Sequence, residues 1–192
     1  MDPRTVGRRD LLGLTGAGTI AALAGCTGGG DDGTDGEQAP ETEAEPVAVD
    51  DDATWRTTTL EDVTTGTDFT VASVDGPVLV HTFAIGCAVS RNQQYEFETL
   101  YGRVDDLEIV TLTTDPHYDR DEVREHTDER GFGWRFGVPS EDVRESLVAD
   151  FGEDVTVSQL SPVVVVCPDG QVYTLETIVG AETLEGVLEN AC

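Results

Sequence analysis

The chain of 192 residues contains no lysine: all 11 of its basic residues are arginine, against 39 acidic residues. The formal net charge is -28, and no basic patch is present that would release counterions from a nucleic-acid backbone. Nucleic acid is therefore not an expected partner. Cysteine is also scarce, with four in the whole chain, so each one is interpreted separately.

Residues 1–25 contain no apolar run long enough to span a bilayer, yet they carry the features of an export signal in order. Arg8 and Arg9 form a twin-arginine pair ahead of a weakly apolar, glycine-rich run. Residues 23–26, LAGC, resemble the lipobox of lipoproteins, which implies a lipid on Cys26. We expect a signal over 1–25 and a lipid-anchored protein on the extracytoplasmic face of the cell membrane; the alternative is a buried apolar helix.

Residues 26–52 lack large apolar side chains and consist mostly of Gly, Asp, Glu, Thr and Pro. Such a segment cannot bury enough surface to offset the entropy of ordering it, so we predict an acidic, disordered linker. Residues 53–192 have the length of one ordinary domain.

The acidic residues are spread along the whole chain, which disfavours a surface made for one basic partner. A surface of this kind stays hydrated when salt screening is nearly complete, but repels itself in dilute buffer. The composition resembles that of extremely halophilic archaea.

Residues 77–97, PVLVHTFAIGCAVSRNQQYEF, join an apolar strand to an amphipathic helix through one cysteine. Val89, Gln93 and Phe97 recur at helical spacing, so the chain turns from strand to helix just before Cys87. A thiol at a helix start lies beside unpaired N–H groups that favour the thiolate. The alternative is a buried, inert Cys87, since free cysteine is among the most buried residue types.

This junction resembles the active-site corner of the thioredoxin-like family, whose motif is Trp-Cys-x-x-Cys. Here the sequence is Gly86-Cys87-Ala88-Val89-Ser90, so a serine occupies the position of the resolving thiol. The resemblance implies that Cys87 is the nucleophile and that Ser90 donates a hydrogen bond to its thiolate. It also implies that Pro162 follows a cis peptide bond and shapes the substrate groove, although a proline that opens a strand is ordinary.

The order of the predicted elements also resembles the thioredoxin-like order. It implies an α/β, three-layer fold with a mixed central sheet flanked by helices and an N-terminal β-hairpin, which is similar to that of the TlpA and redoxin branches. We predict strands over 57–60, 69–71, 77–84, 107–113, 162–167 and 171–176, and helices after Cys87 and over 119–130, 140–150 and 181–190.

A copper site is a further alternative, because residues 115–121, DPHYDRD, resemble the Asp-Pro-x-x-Asp segment of the Sco/SenC copper chaperones. Those proteins bind copper through Cys-x-x-x-Cys and a histidine ahead of the apolar strand. Here Arg91 stands at the second thiol position, and Gln159 and Leu160 stand where the histidine is expected. One soft ligand does not make a copper site, so we predict no metal. His81, inside the central strand, is interpreted as a hydrogen-bonded core residue.

Two further groups of residues, one of amides and one of aromatic side chains, are interpreted next. The amides of Asn92, Gln93 and Gln94 are interpreted as a solvated helix face, with a contact to a bound peptide backbone as the alternative. Trp134 and its aromatic neighbours, Phe132 and Phe136, are expected to pack in the core.

The thioredoxin-like arrangement also implies where Cys167 and Cys192 lie. Cys167, five residues beyond Pro162, is placed far from Cys87, and the last helix returns its end, Cys192, toward Cys167. A structural disulfide between Cys167 and Cys192 is one expectation; a buried Cys167 and a free Cys192 is the other.

Together these features predict a single-thiol protein for thiol-disulfide redox or isomerase-type chemistry on exported client proteins, with no cofactor. A non-catalytic thioredoxin-fold binding domain and a Sco/SenC-like copper chaperone with a degenerate site are the alternatives. Whether the protein is an enzyme stays open at this stage.

Overall fold

The structure, a computed structural model, describes residues 44–192. The predicted signal peptide, the lipidation site Cys26 and most of the predicted linker lie outside these residues. Among residues 44–192, no helix combines the length and the apolarity that a membrane crossing requires.

Besides two short 3-10 helices, Val71–Ser73 and Glu153–Thr156, eight strands and five α-helices follow one another along the described residues. They are β1 (Glu45–Val47), α1 (Thr54–Thr57), β2 (Leu60–Asp62), β3 (Thr67–Phe69), β4 (Val78–Phe83), α2 (Ala88–Tyr101), β5 (Glu108–Thr113), α3 (Arg120–Arg130), β6 (Arg135–Gly137), α4 (Glu141–Phe151), β7 (Val163–Val166), β8 (Val172–Leu175) and α5 (Ala181–Ala191).

Six of the strands form a mixed sheet in the order β1-β8-β7-β4-β5-β6, and β2 pairs with β3 in a separate hairpin. The strand β4 is parallel to β5 and antiparallel to β7, so it lies at the centre of the sheet. All six residues of β4 and all four valines of β7 are buried, as expected for strands that are covered on both faces.

Alternate side chains of the central strands pack into two cores, one on each face. Leu79 and Phe83 of β4 pack with Phe97 of α2 and Leu184 of α5. On the other face, Val78 and Val80 belong to a cluster that also contains Trp55 of α1 and Val143 and Leu147 of α4. The helices therefore form two layers around the sheet, and the predicted three-layer α/β fold is confirmed.

The helix ends follow the local capping chemistry of the sequence. The Asp119 side chain accepts from the N–H groups of Asp121 and Glu122, and Glu122 bonds back to the Asp119 N–H. Gly131 ends α3 in the left-handed conformation, with φ of 72°. Ser140 accepts from the Val143 N–H at the start of α4.

Four parts of the fold differ from the sequence-based expectation. The helix α1, Thr54–Thr57, is absent from the predicted elements and ends where the first predicted strand begins. Glu45–Val47, inside the predicted disordered linker, form the edge strand β1 against β8. The strands of the hairpin are Leu60–Asp62 and Thr67–Phe69, shifted from the predicted bounds. The edge strand β6 is absent from the predicted elements. Short edge strands are held mainly by backbone hydrogen bonds, so side-chain periodicity does not indicate them.

The aromatic residues around β6 are core residues, as predicted. Trp134 stacks on Phe132 with ring centroids 4.5 Å apart, and Phe136 lies 5.5 Å from Phe83 in an edge-to-face arrangement. The Trp134 indole donates to the Thr111 hydroxyl at 3.1 Å, which satisfies its polar atom inside the core.

Candidate functional site

The chain passes from β4 to α2 through a tight bend that ends at Cys87. Gly86 has φ of 82°, a backbone conformation that favours glycine, and the Cys87 N–H donates to the Ala84 carbonyl at 3.1 Å. Cys87 is the N-cap residue of α2, one position before the helix, and its side chain is half-buried. An N-cap side chain lies next to the free N–H groups of the first helical turn, here those of Val89 and Ser90.

The surroundings of Cys87 act on its pKa in both directions. Burial raises the pKa of the thiol, but the nearby hydrogen-bonding groups of Ser158, Ser90 and Val89 would stabilise the thiolate and lower the pKa more. The net result is a pKa below the ordinary value for a cysteine thiol. The neutral thiol makes no N-cap hydrogen bond itself, so these donors act on the ionised sulfur.

Ser90 and Ser158 form a buried pair beside this thiol. The Ser90 hydroxyl donates to the Ser158 carbonyl at 3.2 Å, and both residues are more than nine-tenths buried. A hydroxyl has one proton to donate, so Ser90 can bond the Cys87 thiolate only by leaving the Ser158 carbonyl. The hydrogen bond from Ser90 to the thiolate, implied by the family resemblance, stays a prediction.

Ser158 is a site residue that the sequence reasoning missed. It lies in the loop ahead of β7, directly before Gln159 and Leu160, which stand where a copper chaperone would carry its histidine. The serine in this loop carries no motif of its own. Its position just ahead of β7, the strand that pairs with β4, is the one signal that could have indicated Ser158 as a site residue.

Pro162 lies at the same end of the sheet as Cys87, but its predicted cis peptide bond is wrong. The cis bond among the described residues joins Thr177 to Ile178, and the Ser161–Pro162 bond is trans. The trans isomer is the usual one for a residue before proline. The Ser161 side chain is held there by hydrogen-bond contacts with Thr82, at 2.6 Å between the two hydroxyl oxygens and 3.3 Å from the Thr82 N–H.

The other two cysteines of the described residues are joined to each other. Cys167 and Cys192 form a disulfide with Cα atoms 5.0 Å apart. Because Val166 pairs with Val78 at the start of β4, this disulfide lies at the end of the sheet opposite Cys87. Of the two expectations for this pair, the disulfide is confirmed, and Cys87 is the free thiol of residues 44–192.

His117 and His126 each contact a residue other than Cys87. His117 is exposed and contacts Asp115, with 2.9 Å between Nδ1 and Oδ1. His126 packs against Phe83 with ring centroids 5.5 Å apart. Within residues 44–192, no three residues of the types His, Cys, Asp and Glu are grouped as metal ligands.

His81 is a core residue, as predicted, but it is not hydrogen-bonded. Its side chain is 1% exposed, and neither ring nitrogen has a hydrogen-bond partner. Burial lowers the pKa of His81 to about 3, so the imidazole is neutral in the folded protein. The ring packs edge-on against Phe97.

The interpretation of the α2 amides as a solvated face is wrong for two of them. Gln93 and Gln94 are 0% and 1% exposed. Gln93 bonds a peptide backbone, but this is the backbone of its own chain at Val179. The Nε2 atom of Gln94 has no partner.

No protein-family model matches the chain, and no curated protein is similar enough to be matched. Solved structures do match. The thioredoxin domain of a thiol-disulfide oxidoreductase from Bacteroides vulgatus has a TM-score of 0.53 and 18% identity, over 68% of this chain and 92% of that chain.

Two other structures have comparable TM-scores. A bacterioferritin comigratory protein of Xanthomonas campestris, described for alkyl peroxide reduction, has a TM-score of 0.55 and 17% identity, over 74% of this chain and 95% of its own. A SCO1/SenC family lipoprotein from Bacillus anthracis has a TM-score of 0.54 and 10% identity, over 80% and 96%. Identities this low establish a shared fold but not a shared reaction, and the reaction has to be argued from the residues of the site. The chain has a thioredoxin-like fold, with its free thiol at the junction of β4 and α2.

Proposed function

We propose that this chain is a membrane-anchored, extracytoplasmic protein that carries out thiol-disulfide exchange with exported client proteins through the single thiol of Cys87. One observation carries the proposal: Cys87 is a half-buried, unpaired N-cap cysteine whose pKa is lowered by hydrogen bonds. The thiolate is the reactive form of cysteine, so a lowered pKa increases the reactive fraction near neutral pH.

The reaction needs no cofactor. The Cys87 thiolate attacks one sulfur of a client disulfide, a new Cys87–client disulfide forms, and the other client sulfur leaves as a thiolate. Bonds and electrons balance, because one disulfide replaces another. The described part of the chain places no second thiol beside Cys87, since Cys167 and Cys192 are paired at the far end of the sheet. A thiol of the client or of a third molecule then releases the mixed disulfide, which suits isomerisation or retention of a client more than net reduction.

Ser158 and Ser90 are proposed as the residues that stabilise the thiolate. Ser158 offers its hydroxyl directly, while Ser90 contributes its N–H and, after its hydroxyl turns away from the Ser158 carbonyl, a further donor. Each donor also stabilises Cys87 as a leaving thiolate when the mixed disulfide is resolved. The site therefore favours both formation and release of the client adduct.

The location is proposed from the export features at the start of the chain. The twin-arginine pair Arg8–Arg9 and the lipobox-like segment ending at Cys26 support a lipid anchor outside the cytoplasm. The acidic linker, up to the start of β1, would hold the thioredoxin-like domain away from the membrane surface. The expected partners are exported proteins that carry thiols or disulfides.

Alkylation of Cys87 by iodoacetamide across a range of pH tests the proposal. Peptide mass spectrometry reports the adduct at Cys87 alone, and the same cysteine in the urea-unfolded chain is the matched control. We expect the rate in the folded protein to reach half of its maximum at a lower pH than in the unfolded chain. A folded-state profile at the same or a higher pH, or a thiol that does not react, would show that Cys87 is an inert residue of a binding domain.

A further inference from the structure

Ser158 lies in a segment that belongs to no strand of the sheet and to none of the five α-helices. Residues 155–161 lead from a short 3-10 helix to β7, and every third one of them is buried: Val155, Ser158 and Ser161. The residues between them are exposed. The segment therefore packs on the domain at three points, and the bonds made at those points fix where Ser158 lies.

The two outer points are held by one side chain, that of Thr82 near the end of β4. The Thr82 hydroxyl donates to the Val155 carbonyl, and its oxygen lies 2.6 Å from the Ser161 hydroxyl oxygen. A threonine hydroxyl has a single proton, so Ser161 is the donor in the second contact. Thr82 is therefore bonded to the segment on both sides of Ser158.

The backbone of Thr82 adds a further bond to the same segment. The ladder between β4 and β7 ends with the pair of His81 and Val163, so Thr82 lies just beyond it. Its N–H donates to the Ser161 hydroxyl oxygen at 3.3 Å. Thr82 is 5% exposed, so water does not readily replace the bonds of its hydroxyl.

The middle point is held by α2. The Ser90 hydroxyl donates to the Ser158 carbonyl at 3.2 Å, and Ser90 lies in the helical turn that follows Cys87. Thr82 belongs to β4 and Ser90 to α2, and these are the two elements that the Cys87 bend connects. The strand and the helix that position the thiol therefore also position Ser158, whose hydrogen-bonding group is the first of those that lower the pKa of Cys87.

We propose that Thr82 is a positioning residue for thiol exchange: by bonding both ends of residues 155–161, it holds the Ser158 hydroxyl next to the Cys87 sulfur. This inference rests on the proposed function of Cys87 and adds a residue that acts through another one. None of the groups that lower the pKa of Cys87 belongs to Thr82, so its effect on the thiol passes through Ser158.

Two variants at position 82 separate the hydroxyl from the shape of the side chain. Thr82→Val removes the hydroxyl at nearly constant shape, and Thr82→Ser keeps the hydroxyl. The measured quantity is the second-order rate of iodoacetamide alkylation at Cys87 in the full-length protein over a series of pH values. We expect Thr82→Val to react up to about twofold more slowly than the wild type at low pH and up to about twofold faster at high pH, because a less stabilised thiolate forms later but is more nucleophilic. Thr82→Ser should follow the wild-type profile.

A double variant shows whether the effect passes through Ser158. In Ser158→Ala the hydroxyl is already absent, so adding Thr82→Val should leave the profile where Ser158→Ala alone puts it. Thr111→Val is the matched control, since Thr111 is a fully buried threonine of β5 whose hydroxyl bonds Trp134 and not residues 155–161. It loses a buried hydrogen bond through the same substitution and should keep the wild-type profile.

Ser161→Ala tests the inference where Thr82→Val does not fold. It removes the hydroxyl at one end of the segment and should shift the profile in the same direction by a smaller factor. The inference is overturned by a Thr82→Val or Ser161→Ala profile that coincides with the wild type, by a Thr82→Val effect that persists in Ser158→Ala, or by a Thr82→Ser profile that matches Thr82→Val. Failure of the proposed function looks different: the wild-type profile in the folded protein then lies at the same or a higher pH than in the unfolded chain.

Discussion

Replacing Ser158 with alanine removes the first of the hydrogen-bond donors that lower the pKa of Cys87. A hydrogen bond to a charged group contributes about 1.5–3 kcal/mol where water is excluded. Cys87 is only half-buried, so water replaces part of the lost donor, and about 1 kcal/mol is the expected effect on the thiolate. The thiolate fraction below the pKa should therefore fall about fivefold in Ser158→Ala.

The rate of alkylation responds less than the thiolate fraction, and its sign depends on pH. A thiolate of higher pKa is intrinsically more nucleophilic, with a Brønsted coefficient of about 0.4–0.5. At pH values below both pKa values, Ser158→Ala should react about twofold more slowly than the wild type. At high pH, where both thiols are ionised, it should react about twofold faster. The two rate profiles should therefore cross.

The assay is the second-order rate of iodoacetamide alkylation at Cys87, followed by peptide mass spectrometry over a series of pH values. Ser73→Ala is the control, because Ser73 is an exposed serine whose hydroxyl bonds the Thr70 carbonyl ahead of β4. Its profile should coincide with that of the wild type. Coincident profiles for Ser158→Ala, or a uniform decrease without a crossing, would refute the assignment of Ser158 as a thiolate donor.

The remaining predictions concern stability and location. Burial lowers the pKa of His81 to about 3, so between about pH 6.5 and pH 3 only the unfolded chain binds a proton at this imidazole. The free energy of unfolding therefore falls as the pH drops from about 6.5 toward 3. His81→Leu should remove this loss. The difference in free energy of unfolding between His81→Leu and the wild type, measured by urea titration, should therefore grow in favour of the variant by about 1.4 kcal/mol for each unit that the pH falls. A constant difference would contradict the burial of a neutral imidazole. Cys192→Ser opens a loop between residues 25 positions apart and should lower the free energy of unfolding by about 3 kcal/mol, whereas equal stability with and without reductant would show that the disulfide with Cys167 does not form in solution. Cys26→Ala should move the protein from the membrane fraction to the soluble fraction, and unchanged membrane association would show that another segment anchors the chain.

Much of the fold could be predicted from the sequence because the relevant interactions are local. The strand-to-helix junction at Cys87 follows from an apolar run and helical spacing within a short stretch of chain. The capping residues Asp119, Gly131 and Ser140 act within one turn of the helix that they start or end, and the predicted helix bounds agree with them. The strand directions of a known fold leave two arrangements of Cys167 and Cys192 open, and the disulfide is the one that the structure has.

The tertiary structure alone decided the parts that depend on distant segments. Ser90 and Ser158 are 68 positions apart, and nothing in either segment indicates that they meet beside Cys87. The sequence favours a solvated Gln93 because a glutamine is usually exposed, and its burial depends on a loop 86 positions later. Local spacing determines which face a residue occupies on its own helix or strand, but the partner that covers that face is set by packing over the whole domain. The elements of this thiol site were therefore readable in the sequence, whereas its hydrogen-bond donors and the loop that Gln93 holds became visible only in the folded chain.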